Sequence, residues 1–169
     1  MHPLARHITD VPDFPKPGIL FRDITPLLRS HFGETVAALA ELWTPAEWAA
    51  VDAVAGVESR GFILAAALAA RCGKGFVPIR KKGKLPPPVV DRPYELEYGS
   101  GVLEMQRGEG QLLLVDDVLA TGGTFTAAAL LALDAGFRVT QAGVLIDLGI
   151  VPNSTFRGMA LRTVVRYGG

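Results

Sequence analysis

The sequence predicts a single doubly wound α/β domain, a mostly parallel sheet flanked by helices. Three observations predict it. Short apolar runs at Val51–Ala55, Gly75–Ile79, Leu112–Val115 and Val139–Leu148 have the length and composition of strands covered on both faces. Segments of helical period stand between several of them, which is the alternation that builds parallel sheets. No internal repeat or linker interrupts the succession, so residues 1–169 are expected to form one domain.

Composition narrows the function classes. With 169 residues, 49% of them hydrophobic and 20% charged, the chain can bury a substantial core. Its 17 basic and 17 acidic side chains cancel, giving no global attraction to nucleic acid or an anionic membrane, so any affinity for phosphate must be local. The lone cysteine, Cys72, cannot make an intramolecular disulfide and reads as a small buried hydrophobe in a cytoplasmic protein. The longest apolar stretch, Phe62–Ala70, is half the length of a membrane span, and the first residues lack a signal peptide's pattern; a soluble, unexported protein is expected.

The first residues, Met1–Gly18, are dense in Pro and Asp and read as an arm on the domain, with a possible helical turn near Leu4–Ile8. The arm enters Ile19–Ile24, whose apolar strip around Arg22 could pack in the core or wall a pocket for a flat ring. Thr25-Pro26 is a cap-and-first-turn signal, and Phe32, Val36, Leu39, Ala40 and Trp43 recur at helical spacing. Thr44-Pro45 repeats the signal for a short helix carrying Trp48. The strand Val51–Ala55 delivers Gly56-Val57-Glu58-Ser59-Arg60-Gly61, and Phe62–Arg71 follows as a helix. Small residues, a hydroxyl and one guanidinium at a helix entrance suit a diphosphate, which Arg engages with a planar fork; a surface turn with an incidental salt bridge is the plainer alternative.

After Gly75–Ile79 comes a basic run, Arg80, Lys81, Lys82 and Lys84, at the carboxyl end of a strand, where open α/β sheets bind ligands. The stretch from Lys82 to about Arg92 has too much Pro for a central strand and is expected to be a loop, either a lid or disordered. Tyr94–Tyr98 and Val102–Met105 alternate like the strands of a β-ribbon joined through Gly99-Ser100-Gly101. The apolar run Leu112–Val115 then meets Asp116-Asp117, placing both carboxylates at a strand's carboxyl end. Ala120-Thr121-Gly122-Gly123-Thr124 opens a helix to about Ala135, a cradle whose free N–H groups fit phosphate, while two acids beside it fit a ribose diol. A core strand at Val139–Leu148 and an edge strand at Leu161–Tyr167 complete the chain.

The combined loops describe a ribose with phosphate at one end and diphosphate at the other, which is phosphoribosyl pyrophosphate (PRPP). A Walker-type triphosphatase is disfavoured because no Gly-Lys-Ser or Gly-Lys-Thr loop exists. Pro12–Gly18, Phe21–Pro26, Glu58–Phe62, Arg80–Pro86, Tyr94–Gly99 and Val115–Thr124 together resemble the adenine phosphoribosyltransferases, a family of type I phosphoribosyltransferases.

That resemblance implies the type I phosphoribosyltransferase fold and transfer of ribose 5-phosphate from PRPP to adenine, with Mg2+, giving AMP and pyrophosphate in a homodimer. It implies that Ala120, Thr121, Gly122, Gly123 and Thr124 hold the 5-phosphate and that Asp116 and Asp117 hold the ribose hydroxyls. Ser59, Arg60, Lys81 and Lys84 would meet pyrophosphate, and Leu20, Phe21, Arg22 and Val118 would frame adenine. Glu97, Tyr98 and Arg60 are the catalytic candidates, Glu97 as the carboxylate that handles a proton on the base. Residues 1–24 become the arm and base-binding hood, residues 80–106 a mobile lid and β-ribbon, and the Glu58–Ser59 peptide is expected to be cis. Mg2+ is expected through substrate and water, with no dedicated protein ligand. Transfer to hypoxanthine, guanine or orotate, or a non-catalytic sensor of PRPP or a nucleotide, are the competing readings.

Overall fold

Apolar strands with a turn at each end have one low-cost arrangement here, side by side with helices on both faces. The computed structural model describes residues 2–96, 99–151, 155–156 and 159–168. A 3-10 turn at Pro3–His7 leads into β1 (Thr9–Pro12) and β2 (Leu20–Asp23), then α1 (Thr25–Ala40), α2 (Pro45–Ala49), β3 (Ala53–Val57), α3 (Arg60–Arg71) and β4 (Gly75–Lys81). The chain continues through β5 (Val89–Leu96), β6 (Gly99–Gln106), β7 (Gln111–Leu119), α4 (Gly123–Asp134) and β8 (Arg138–Asp147). Two short strands, β9 (Thr155–Phe156) and β10 (Met159–Ala160), precede β11 (Arg162–Arg166).

The central sheet has the order β11-β8-β7-β3-β4-β6-β5. From β11 to β4 it is parallel, and β6 and β5 add an antiparallel margin. Alternation along β7 divides the core: Leu113 and Val115 join Leu64, Ala65 and Leu68 of α3 on one face, and Leu112 and Leu114 join Ala128, Leu131 and Ala132 of α4 on the other. Strand order reverses between β3 and β7, since β4 lies beyond β3 and β8 beyond β7. The loops leaving these two neighbours carry both glycine-containing helix entrances, so a ligand crevice opens at the switch point.

Several sequence expectations need correction. The strand that reaches Asp116-Asp117 does not stop there; β7 runs to Leu119, with Asp116 opposite Val144 and Val118 opposite Ile146. Both acids are therefore held within the paired strand, a few residues before its carboxyl end. The stretch before Arg92 becomes β-structure from Val89 onward. Pro93 is compatible with it because β5 is the outermost strand, where a missing N–H goes unneeded. Thr25 does not cap α1; its N–H instead donates to Asp23 Oδ1 at 2.9 Å. Leu20 is 46% exposed and Phe21 and Arg22 are half-buried, so this part of the strip lies outside the core, whereas Ile24 at its end is fully buried in it. The Glu58–Ser59 peptide is cis, as the resemblance implies.

Candidate active site

At the end of β7 the backbone turns through Ala120–Gly122 into α4. Gly122 has φ 84°, which only a residue without Cβ adopts at little cost. The first helical bond runs from Thr126 N–H to the Gly122 carbonyl at 2.9 Å, and no side chain caps the entrance. Gly123, Thr124 and Phe125 thus lack intrahelical acceptors, and the residues from Val118 to Phe125 line a cavity of about 70 Å³. No acidic residue stands in the first turn to compete with an anion.

The neighbouring entrance is Ser59, Arg60 and Gly61 at the start of α3. Its helix packs close against β7: a Cβ on Gly61 would sit 2.7 Å from Asp116 Oδ1. Glycine there lets the helix approach the acids. Arg60 Nε lies 2.6 Å from Asp117 Oδ2, joining the two entrances. The contact lacks hydrogen-bond alignment, which leaves Asp117 Oδ2 buried with open acceptor capacity. Burial, and secondarily the adjacent Asp117 carboxylate, push the Asp116 carboxyl well above the usual range. The two adjacent carboxyl groups, with Asp117 Oδ2 still open, offer acceptors of the kind that a vicinal diol needs.

Arg60 also reaches the N-terminal hairpin. Its Nη1 donates to the Arg22 carbonyl at 3.3 Å, and its guanidinium lies 4.7 Å from the centre of the Phe21 ring. Arg22 in turn pairs with Asp10 across the β1–β2 ladder and stacks over Tyr167, 3.9 Å from the ring centre. Phe14 packs edge-on to Phe21 at 5.1 Å. The hairpin therefore presents an aromatic edge and backbone groups directly over the switch point.

The basic run occupies the next strand. Lys81 ends β4, and Lys84 lies in the turn beyond; both are exposed. Among the described residues their ammonium groups enter no ion pair, whereas Arg80 faces Glu58 at 3.3 Å and Lys82 faces Asp91 at 2.7 Å. The structure thus gathers Phe21, Arg22, Arg60, Asp116, Asp117 and the Ala120–Thr124 loop at one crevice, with Val118 half-buried beside it. It does not link Lys81 or Lys84 to that cluster. Glu97 and Tyr98 lie outside the described residues. Asp10 and Tyr167 were not singled out from sequence, because an acid in a Pro-rich arm and a tyrosine after an edge strand carry no periodic or spacing signal.

The phosphoribosyl transferase domain matches residues 33–149 of this chain. An adenine phosphoribosyltransferase of Hydrogenovibrio crunogenus is 49% identical over 167 residues, covering 98% of this chain and 97% of its own. The chain belongs to the adenine phosphoribosyltransferase family. A family member from Rhodothermus marinus has a crystal structure that superposes with TM-score 0.85 at 41% identity, covering 96% of each chain. The Saccharomyces cerevisiae member, solved with adenine and an imino-altritol bisphosphate, superposes with TM-score 0.85 at 32% identity over 95% of this chain and 96% of that one. The doubly wound sheet described above is accordingly the type I phosphoribosyltransferase fold of this family.

Proposed function

We propose that the protein transfers ribose 5-phosphate from PRPP to N9 of adenine, producing AMP and pyrophosphate for purine salvage. One observation carries this reading: the Arg60 guanidinium touches Asp117, the Arg22 carbonyl and the Phe21 ring, so a sugar clamp, a diphosphate entrance and an aromatic hood meet on one side chain. The yeast relative was solved with adenine and an imino-altritol bisphosphate, a base and a phosphorylated sugar analogue together, which supports this reading.

In this reading Ala120–Thr124 takes the 5-phosphate on the uncapped N–H groups of α4, and Asp116 and Asp117 take the ribose hydroxyls. Ser59, Arg60, Lys81 and Lys84 face pyrophosphate, while Leu20, Phe21, Arg22 and Val118 frame the base. As the C1–O bond to pyrophosphate breaks and the C1–N9 bond forms, positive charge develops on the sugar ring and negative charge on the leaving group. Fixed dipoles and cations in a drained crevice stabilise both, without a covalent enzyme intermediate. Glu97, with Tyr98 beside it, accepts the proton that adenine N9 loses. Residues 1–24 act as arm and hood and residues 80–106 as lid of one domain, and the enzyme works as a homodimer in the cytoplasm.

Among the described residues no trio of His, Cys, Asp or Glu converges on a metal position, and Asp117 is already paired with Arg60. In this reading Mg2+ would arrive with the diphosphate and be held mainly by substrate oxygens and water. When bound, the ion neutralises charge on the departing pyrophosphate.

A steady-state panel with PRPP and each of adenine, hypoxanthine, guanine and orotate tests the proposal. Pyrophosphate release with adenine alone supports it, preference for another base moves the assignment within the fold, and silence with every base overturns it. Glu97→Gln should lower kcat by ~10² to 10⁴ with little change in PRPP affinity. An unchanged kcat removes Glu97 from the proton transfer.

A further inference from the structure

Four cations crowd into the stretch Arg80, Lys81, Lys82 and Lys84, and mutual repulsion alone would splay its backbone. The segment is nevertheless folded tightly, and a single carboxylate lies beneath it. Glu104 stands on β6 directly across from Arg80 and is 2% exposed, covered by the turn it holds although it sits towards the periphery of the domain. Its Oε2 accepts from Gly83 N–H at 3.0 Å, and its Oε1 accepts from Lys84 N–H at 2.7 Å and Leu85 N–H at 2.6 Å. Both carboxylate oxygens are spent on backbone, and among the described residues neither pairs with an ammonium group. A second carboxylate, Glu58, repeats the device one step earlier by accepting from Lys81 N–H at 2.7 Å.

We propose that Glu104 is a positioning residue for the pyrophosphate end of the site, fixing the backbone of Gly83–Leu85 so that the Lys84 side chain stays unpaired and available to an incoming diphosphate. The inference rests on the reading of Lys84 given above. Its physical basis is that a buried carboxylate must find donors, and three consecutive N–H groups satisfy it more rigidly than a mobile lysine would. Lys82, by contrast, is neutralised by Asp91 at 2.7 Å, so the turn presents its cations selectively. The three N–H donors, Gly83 foremost, hold the Glu104 carboxyl below the ordinary range, so the clamp remains charged at neutral pH.

The test compares Glu104→Gln and Glu104→Ala with the wild type, measuring KM for PRPP, KM for adenine, kcat and calorimetric affinity for inorganic pyrophosphate. Glutamine retains an oxygen for Lys84 and Leu85 but turns a donor towards Gly83. The alanine variant should weaken PRPP and pyrophosphate by roughly 10-fold or more, the glutamine variant by less, with KM for adenine nearly unchanged. In a Lys84→Met background the Glu104→Gln penalty should largely vanish, since both changes act through one contact. Unchanged PRPP and pyrophosphate affinity in both variants, or full additivity with Lys84→Met, overturns the inference; so does a loss of thermal stability unaccompanied by the KM split. An inactive wild type would instead overturn the underlying functional reading.

Discussion

Asp116 carries the clearest conflict between folding and function at the level of single residues. Its carboxyl is buried next to a second acid, and burial above all raises its pKa from the ordinary aspartate value. A carboxyl whose folded pKa lies above its unfolded one favours the fold at low pH, and that preference is lost as pH rises through the folded value. Asp116→Asn should therefore raise Tm more at pH 8 than at pH 4.5, by roughly 2–4 °C at the higher pH, while lowering turnover. Calorimetry at both pH values checks this; an equal or smaller gain at pH 8 contradicts the assignment of the raised pKa. Which residues were legible follows from their chemistry. The place of Arg60 at a helix entrance was legible because the strand, the small residues and the helical period that follow fix where α3 begins. The Asp10–Arg22–Tyr167 assembly was not, because its members come from the two ends of the chain and only folding brings them together.

Element boundaries show where local rules were sufficient. Thr44-Pro45 predicts a helix start, and α2 has the full reciprocal box: Glu47 N–H donates to Thr44 Oγ1 at 3.3 Å, and Thr44 N–H donates to Glu47 Oε2 at 2.8 Å. The same glutamate then docks β11, with Arg162 Nη2 donating to Oε1 at 2.5 Å and Nη1 to Oε2 at 2.9 Å. Those Arg162 bonds first, and the Thr44 N–H second, depress the Glu47 carboxyl to about 2. A lowered carboxyl stabilises fully above its unfolded pKa and stops doing so as pH falls through the folded value. Glu47→Gln should accordingly shift the urea midpoint down by roughly half a molar or less at pH 7, and the gap should narrow at pH 3. A gap independent of pH would assign the loss to packing instead. At the same scale the Thr25-Pro26 signal predicted the right helix for the wrong reason, since Asp23 supplies the bond. The proline-bearing segment at Val89–Leu96 could join the sheet only because it found the outer edge, a position invisible in local composition.

Across the whole molecule, adjacency of β3 and β7 makes the crevice, and the hood of β1 and β2 closes one side of it. A site assembled from separate loops should be stabilised as a unit when filled. Mg2+ with PRPP at about 100 times its Kd is expected to raise Tm by ~5–10 °C, corresponding to roughly 2.7 kcal/mol of linkage. Thermal denaturation with and without the ligand measures it, and no shift at saturating PRPP would mean that the crevice does not hold this ligand. Hydrophobic period, glycine placement and the spacing of acids after an apolar run were sufficient to determine the α/β class and the positions of the two helix entrances, because each depends on interactions within a few residues along the chain. The pairing of Arg60 with Asp117, the raised pKa of Asp116 and the clamp of Glu104 on Gly83–Leu85 were decided only in three dimensions. Each arises when charges distant in sequence are brought close and removed from water, and the energy of that encounter is set by distance and burial rather than by residue order.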